Sequence, residues 1–315
     1  MSHGFKIMVA PLQGFTEAPF RHFYAEIYGK SLGDEPVYYS PFIRLERGDV
    51  RLRDLRDITS TLNQNIHLIP QIIFRDANEF IRLIKVIRDA GYNECDLNLG
   101  CPFIPQVRKG RGAGLILRPN ILNEIASIMK QISNMQFSLK MRLGVNTPDE
   151  WIGIANIINT MPLSHVTIHP RTAAQQYSGN LQIDETPKFI NRIIHPIIFN
   201  GDIRQPKDID NIRSKYPSLA GVMLGRGLLM RPSIINDWNE NRLWDRSERI
   251  TKLLLLHSKI YDYYANTLEG GDTQVLSKVK PLWEYFGADF DRKSIKRIIK
   301  AGAVSNYLAA INNLS

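Results

Sequence analysis

Eight short apolar runs, each followed by room for a crossover, constrain this chain more than any other feature. They lie at 6–12, 35–43, 66–74, 94–101, 137–144, 164–170, 195–202 and 220–227. Near-continuous apolar strands that alternate with helical patterns belong to a parallel sheet covered by helices. The helices between them carry start and stop signals. Asp76, with Glu79 three residues on, makes a capping box; Phe80, Leu83, Ile84 and Ile87 form one apolar stripe; Gly91 lies just past the end. Thr147-Pro148-Asp149-Glu150 reads as a second capping box, and Asn120 as the opening of another helix. Eight such units close most naturally as a (β/α)8 TIM barrel, with an open doubly wound sheet as the alternative. The 315 residues suit a barrel of about 250 residues plus a smaller unit.

Beyond residue 232 the strand runs stop and three helical stretches follow. The expected division is therefore a barrel over 1–232 and a small all-α domain of three or four helices over 233–315.

Polar residues gather where each strand ends, which in a barrel is one rim. Strand one ends in Ala10-Pro11-Leu12-Gln13-Gly14, and strand three carries Gln71. Strand four ends Asn98-Leu99-Gly100-Cys101-Pro102, strand five Lys140-Met141-Arg142-Leu143-Gly144, and strand six His169-Pro170-Arg171. Strand seven ends Asn200-Gly201-Asp202 and strand eight Gly225-Arg226-Gly227. A single glycine turn is usually only a turn. Two on consecutive strands, one with an arginine, favour a phosphate site at the loops after strands seven and eight. Lys140 sits in an apolar strand, so it either pairs with Asp96 or faces an anionic ligand. His169 is either a satisfied core histidine or a ligand contact. The Gln71 amide matches the donor/acceptor edge of a flavin or pyrimidine.

Of the two cysteines, Cys95 reads as a small buried hydrophobe, whereas Gly100 and Pro102 expose Cys101 at the rim as a nucleophile or acid. Extended spacing puts them too far apart for a disulfide, and no histidine spacing accompanies them to make a metal site. The start has no signal-like apolar segment, and no run is long enough to span a bilayer, so the expected setting is the reducing cytoplasm. Lys and Arg number 40 against 31 acidic residues, a net charge of +9 that favours a polyanionic partner. In the tail Arg292, Lys293, Lys296, Arg297 and Lys300 fall on one helix face without an acidic interruption, while Ile295, Ile298 and Ile299 are expected to face the core.

These motifs, in this order, resemble the tRNA-dihydrouridine synthase family. The opening Ala10–Glu17 is similar to the family's, with Glu17 where Asp is usual. The stretch Asp96–Pro102 followed by Gly110–Leu115, then Lys140-x-Arg142-x-Gly144, His169-x-Arg171, Asn200-Gly201-Asp202 and Gly225-Arg226-Gly227, complete the likeness over roughly 7–230. Ile104 stands where the family often has a polar residue, with Arg108 and Lys109 following. The resemblance implies FMN, NADPH as electron donor and a tRNA uridine as substrate. It implies Cys101 as general acid, with Ala10, Pro11, Leu12, Gln71, Lys140 and His169 around the flavin and Asn200, Gly201, Asp202, Gly225 and Arg226 at its phosphate. Asn98, Arg142 and Arg171 fall on the substrate side. Arg108, Lys109, Lys293, Lys296 and Arg297 are expected to meet tRNA phosphates. The compact tail and Ser40–Arg44 are similar to the C-type class, which points to position 16 of the D-loop, with position 20 as runner-up. A monomer is the default. Two other readings stay open: a small-molecule FMN oxidoreductase of the dihydroorotate or enoate reductase kind, and a non-catalytic RNA-binding protein on the same barrel.

Overall fold

The computed structural model describes residues 4–29 and 36–314. Residues 1–3 of the expected leaderless start, and Glu35 at the head of the second apolar run, lie outside the described residues. Strands β1 (Lys6–Val9), β2 (Val37–Tyr39), β3 (Leu68–Ile69 continued as Gln71–Ile72), β4 (Glu94–Leu99), β5 (Gln136–Gly144), β6 (Leu163–Thr172), β7 (Ile197–Asn200) and β8 (Gly221–Leu224) form one parallel sheet. Its order runs from the first half of β3 through β2, β1, β8, β7, β6, β5 and β4 to the second half of β3. The two edges are the same strand, so the sheet closes on itself as the expected TIM barrel. Proline marks the closure. Pro70, between the two halves of β3, has no N–H for the ladder, a placement proline tolerates only at irregular points of a sheet. The Ser40 hydroxyl fills the gap by accepting the Gln71 N–H at 3.1 Å, and pairing resumes where Ile43 bridges Ile72.

The strands alternate with period two, which sorts side chains between the barrel interior and the helical jacket. On β1, β2, β7 and β8 the mid-strand inner residues are apolar: Met8, Tyr39, Ile198 and Met223 share one interior cluster with Ala10 and Ile69, and only at the end of β7 does the same parity bring in a polar group, Asn200. On β4 to β6 the outward parity carries Cys95, Leu97, Leu139, Met141, Val166 and Ile168 into the helix-facing core. The opposite parity therefore places Asp96, Asn98, Ser138, Lys140, Thr167 and His169 inside. One half of the barrel interior is apolar and the other half polar, and both cysteines are free.

Wall helices follow each strand: α1 (Ala18–Tyr28), α2 (Leu52–Ile58), α3 (Ala77–Asp89), α4 (Pro119–Met129), α5 (Ile152–Thr160), α6 (Glu185–Arg192), α7 (Pro206–Lys215) and α8 (Ile234–Asn239). Asp76 caps α3 by accepting the Glu79 N–H at 2.9 Å, and the apolar stripe of α3 is buried. Two expected starts are corrected. Pro119, not Asn120, opens α4. The segment 147–150 is a turn, and α5 begins at Ile152. The Glu150 carboxylate reaches back to the Val145 and Asn146 N–H groups after β5, so it caps a loop instead of a helix.

The tail consists of α9 (Arg246–Thr267), α10 (Gly271–Val279), a short helix Trp283–Phe286, α11 (Arg292–Lys300) and α12 (Val304–Asn312). Asp245 caps α9 and Asp291 caps α11. Its core centres on His257, whose Nε2 meets the Tyr307 hydroxyl at 2.6 Å while Trp283 Nε1 donates to the same hydroxyl at 2.9 Å. The tail grips the barrel through Glu17, a buried carboxylate just before α1. It accepts from Lys278 at 2.6 Å and from the Tyr264 hydroxyl at 3.1 Å, and pairs with Arg53 at 3.0 Å. Burial works against its charge, yet these partners together hold its pKa below the ordinary carboxylate value. Among the described residues no helix is long and apolar enough to cross a membrane.

Candidate active site

At the C-terminal rim the strand ends surround a cavity of about 460 Å³. Ala10, Pro11 and Leu12 from β1, Asn98 and Cys101 from β4, Lys140 and Arg142 from β5, and His169 from β6 all line it. Asn200, Gly201 and Asp202 after β7, and Gly225, Arg226 and Gly227 after β8, complete the wall. Lining cations are Arg44, Lys140, Arg142, Arg204 and Arg226, against the single carboxylate of Asp202. Even that carboxylate is matched, because Arg171 holds it at 2.6 Å and 3.2 Å. The cavity is therefore built for an anion.

Cys101 is half-buried at this wall. Its N–H and that of Gly100 both donate to Asn98 Oδ1, at 2.8 and 3.1 Å, so the strand-end asparagine shapes the loop that carries the thiol. Gly112 packs on the other side, where a Cβ would fall 2.8 Å from Cys101 Cβ. Burial pushes the thiol pKa up, opposed in part by Arg142, Arg44 and Lys140. The group stays protonated at neutral pH and suits an acid better than a nucleophile.

Lys140 donates to Asn200 Oδ1 at 2.9 Å rather than pairing with Asp96. Burial, reinforced by the neighbouring Arg142, brings its pKa down to about 8. An ammonium so placed gains most when an anion enters. His169 is buried and kept neutral, first by desolvation and then by the surrounding cations. Arg171 can only donate, so the 3.1 Å contact between Arg171 Nη1 and His169 Nε2 places the ring proton on Nδ1. Arg142 is held by the carbonyls of Gly100 and Thr172 at 3.1 and 2.7 Å.

The glycines of the β7 and β8 loops are steric necessities. Gly201 has φ +149°, and a Cβ there would fall 2.9 Å from Leu181. A Cβ at Gly227 would fall 1.8 Å from the Ile203 carbonyl. The two loops thus pack backbone against backbone beside Arg226, leaving room for an anionic group of the ligand.

Several sequence-predicted residues lie elsewhere. Gln71 is fully buried inside the barrel beneath the cavity, with its amide bonded to Asp96 and Asn98. Arg171 is behind the cavity, holding Asp202 and the Gly179 carbonyl. Arg108, at the end of the helical turn Ile104–Arg108, and Lys109, just past it, are exposed and do not line the cavity. Arg111, in the same loop, is a buried strut paired with Glu79. Lys293, Lys296 and Arg297 are exposed on α11 as expected; Ile298 is buried and Ile295 half-buried, but Ile299 is 38% exposed rather than in the core.

Sequence reasoning missed an aromatic at the mouth. Tyr177 is 49% exposed and lies between two guanidinium groups, Arg142 at 5.2 Å and Arg226 at 4.9 Å from its ring centroid. It follows β6 in an irregular loop where no periodicity singles it out. Phe103, 58% exposed, lines the mouth beside Cys101.

Known proteins are similar to this chain in sequence and in fold. A probable tRNA-dihydrouridine synthase of Staphylococcus aureus is 27% identical over 265 residues, covering 82% of this chain and 77% of that protein. Probable tRNA-dihydrouridine synthase 2 of Bacillus subtilis is 26% identical over 271 residues, covering 82% and 78%. Among solved structures, the old yellow enzyme from Trypanosoma cruzi superposes with a TM-score of 0.51 at 7% identity, over 76% of this chain and 89% of that one. A variant of NCR from Zymomonas mobilis gives 0.50 at 10% identity, over 76% and 87%. At such identities the likeness is one of fold. The sequence profile described as dihydrouridine synthase (Dus) covers residues 8–303, and the chain belongs to that enzyme family.

Proposed function

We propose that this chain reduces one uridine in the D-loop of tRNA to 5,6-dihydrouridine, with FMN as cofactor and NADPH as electron donor. The observation that carries the reading is the protonated, half-buried Cys101 thiol at the wall of a cation-lined barrel cavity. The residues present fit a flavin mononucleotide. Ala10, Pro11 and Leu12 offer backbone and apolar surface for a ring system, and Lys140 offers positive charge. Gly201, Gly225 and Arg226 offer close backbone and a guanidinium for one phosphate.

When bound and reduced, the flavin supplies a hydride for C6 of the uracil ring. Negative charge then falls on C5 and O4 of the substrate. Cys101 Sγ–H gives its proton to C5, so one hydride and one proton add across the C5=C6 bond. Arg142 lies close enough to Cys101 to stabilise the thiolate left behind. Asn98, on the same wall, keeps one Nδ2 hydrogen for the ring beyond the one it gives to Gln71. Neutral His169, fixed as the Nδ1–H tautomer, adds a donor without adding charge. A uridine within folded RNA must leave its stack to enter the cavity, and the exposed Phe103 and Tyr177 flank that entrance. We assign the tail, through Lys293, Lys296 and Arg297, to tRNA phosphates, with Arg108 and Lys109 contributing from the loop after Cys101.

The test is the visible spectrum of the purified protein, heat release of its cofactor with chromatographic identification, and single-turnover dihydrouridine formation on unmodified tRNA. FMN absorbance with dihydrouridine at position 16 is the expected result. FAD, or a protein that stays colourless after reconstitution, overturns the cofactor. Reduction of small enones with inert tRNA overturns the substrate.

A further inference from the structure

Inside the barrel, beneath the cavity, a chain of side-chain hydrogen bonds runs from Asp96 to the loop that carries Cys101. Gln71 Nε2 donates to Asp96 Oδ2 at 2.6 Å. Asn98 Nδ2 donates to Gln71 Oε1 at 2.6 Å. Asn98 Oδ1 then accepts the N–H groups of Gly100 and Cys101. Asp96 and Gln71 are wholly shielded from solvent, and neither lines the cavity. We propose that Asp96 is a positioning residue for Cys101, acting through Gln71 and Asn98.

The argument is one of direction. An ionised carboxylate only accepts. Gln71 must turn its NH2 towards Asp96, which leaves its carbonyl oxygen facing Asn98. Asn98 must answer with its NH2, which leaves its oxygen for the two backbone donors. Each amide is thus locked in one of its two senses by the residue behind it. A flipped Asn98 would set an NH2 against the Gly100 and Cys101 N–H groups and release the loop. Register makes the chain possible, because Gln71 on β3 pairs with Asp96 on β4. Burial raises the Asp96 carboxyl to about 6, which still leaves it ionised at neutral pH. Ser138 Oγ donates to the other carboxylate oxygen at 2.6 Å and stands off the route to Cys101.

The inference rests on the reading of Cys101 as the acid, and the test separates the two. Gln71→Met removes both bonds at nearly constant volume. Expected are a roughly tenfold or greater loss of hydrogen-exchange protection at the Gly100 and Cys101 amides and a 10- to 100-fold slower single-turnover reduction, the order of loss that small misplacement of a reacting group brings. KM for tRNA should stay within about twofold. Gln71→Glu should restore protection and rate, because a carboxyl facing the Asp96 carboxylate keeps its proton and can donate to Asp96 while accepting from Asn98. Ser138→Ala should behave as wild type. Wild-type protection in Gln71→Met, or equal losses in Ser138→Ala and Gln71→Met, overturns the proposal. If Gln71→Met does not fold, Asp96→Leu, which removes the acceptor that orients Gln71, carries the same readouts, and wild-type values of both protection and rate overturn the proposal. If Cys101→Ala keeps full turnover, the acid assignment falls, while amide protection still decides whether the chain holds the loop.

Discussion

Replacing Glu17 tests how the tail is held. Its side chain is 11% exposed, and its carboxylate is shared by Lys278, Tyr264 and Arg53. Deleting one partner of a buried pair costs about 3–5 kcal/mol, and an exposed pair contributes about 0–1. Lys278 and Arg53 have side-chain exposures of 24% and 46%, so the joint lies between these limits. Glu17→Ala should therefore cost ~2–3 kcal/mol, since Lys278 and Tyr264 lose their acceptor while water reaches only part of the gap. Glu17→Gln should cost less, because an amide oxygen still accepts. Combined with Lys278→Met, the loss should be sub-additive, with a coupling of ~1–2 kcal/mol. The assay is hydrogen exchange of α9 and α10 beside urea unfolding. Loss of protection should appear first in the tail and leave β4 to β6 unchanged. The pH dependence has a definite sign. A folded-state pKa below the ordinary value means the contribution is fully present above about pH 4.5 and fades as pH falls through the depressed folded value. Equal midpoints for wild type and Glu17→Ala at pH 7, with superimposable acid limbs, would refute the joint.

Cys101→Ala should retain flavin and its reduction by NADPH but lose tRNA reduction by about 10²–10⁴-fold, as removal of a general acid does; Cys95→Ala, in the outer core, should keep its rate and lose only stability, read by thermal unfolding. Because the Lys140 pKa is lowered to about 8, its positive charge disappears as pH rises through that value, and kcat/KM for tRNA should fall above it. Lys140→Arg, which stays charged, should flatten the alkaline limb of the pH–rate profile. Replacing Lys293, Lys296 and Arg297 together by Ala should weaken tRNA binding and reduce the slope of log K against log salt by roughly 0.7–0.9 for each phosphate no longer neutralised, with flavin content unchanged. Lines that superimpose across a salt series would remove α11 from the interface.

Much of this was legible because the strands keep a two-residue period between the irregular pairings at the two ends of β5 and β6. In 137–144 and 164–170 the alternation already separates Ser138, Lys140 and Arg142 from Leu139 and Met141, and Thr167 and His169 from Val166 and Ile168. Other features depend on pairings between residues far apart in the chain. Gln71 looked like a ligand group because an amide inside an apolar strand needs a partner, but nothing local says that the partner is Asp96, 25 residues on. Glu17 stood out only as a departure from a family pattern; its purpose appears when Lys278 and Tyr264 arrive from the tail. Thr147 and Glu150 had helix-start spacing, yet the open N–H groups of the β5 loop took the carboxylate first. Tyr177 could not be found at all, since irregular loops carry no period.

Four of the five cations around the cavity are guanidinium groups, and only Lys140 can switch within the working pH range. Even Arg142, brought down to about 10 by burial, keeps its charge there. Capture and conversion should therefore respond to different variables. The fixed guanidinium field draws a polyanion at long range, so the association rate is governed by ionic strength and hardly by pH. A chemical step that draws on the Lys140 ammonium and the Cys101 proton should answer to pH and hardly to salt. Above pH 8 binding of the polyanion is therefore expected to persist while turnover falls.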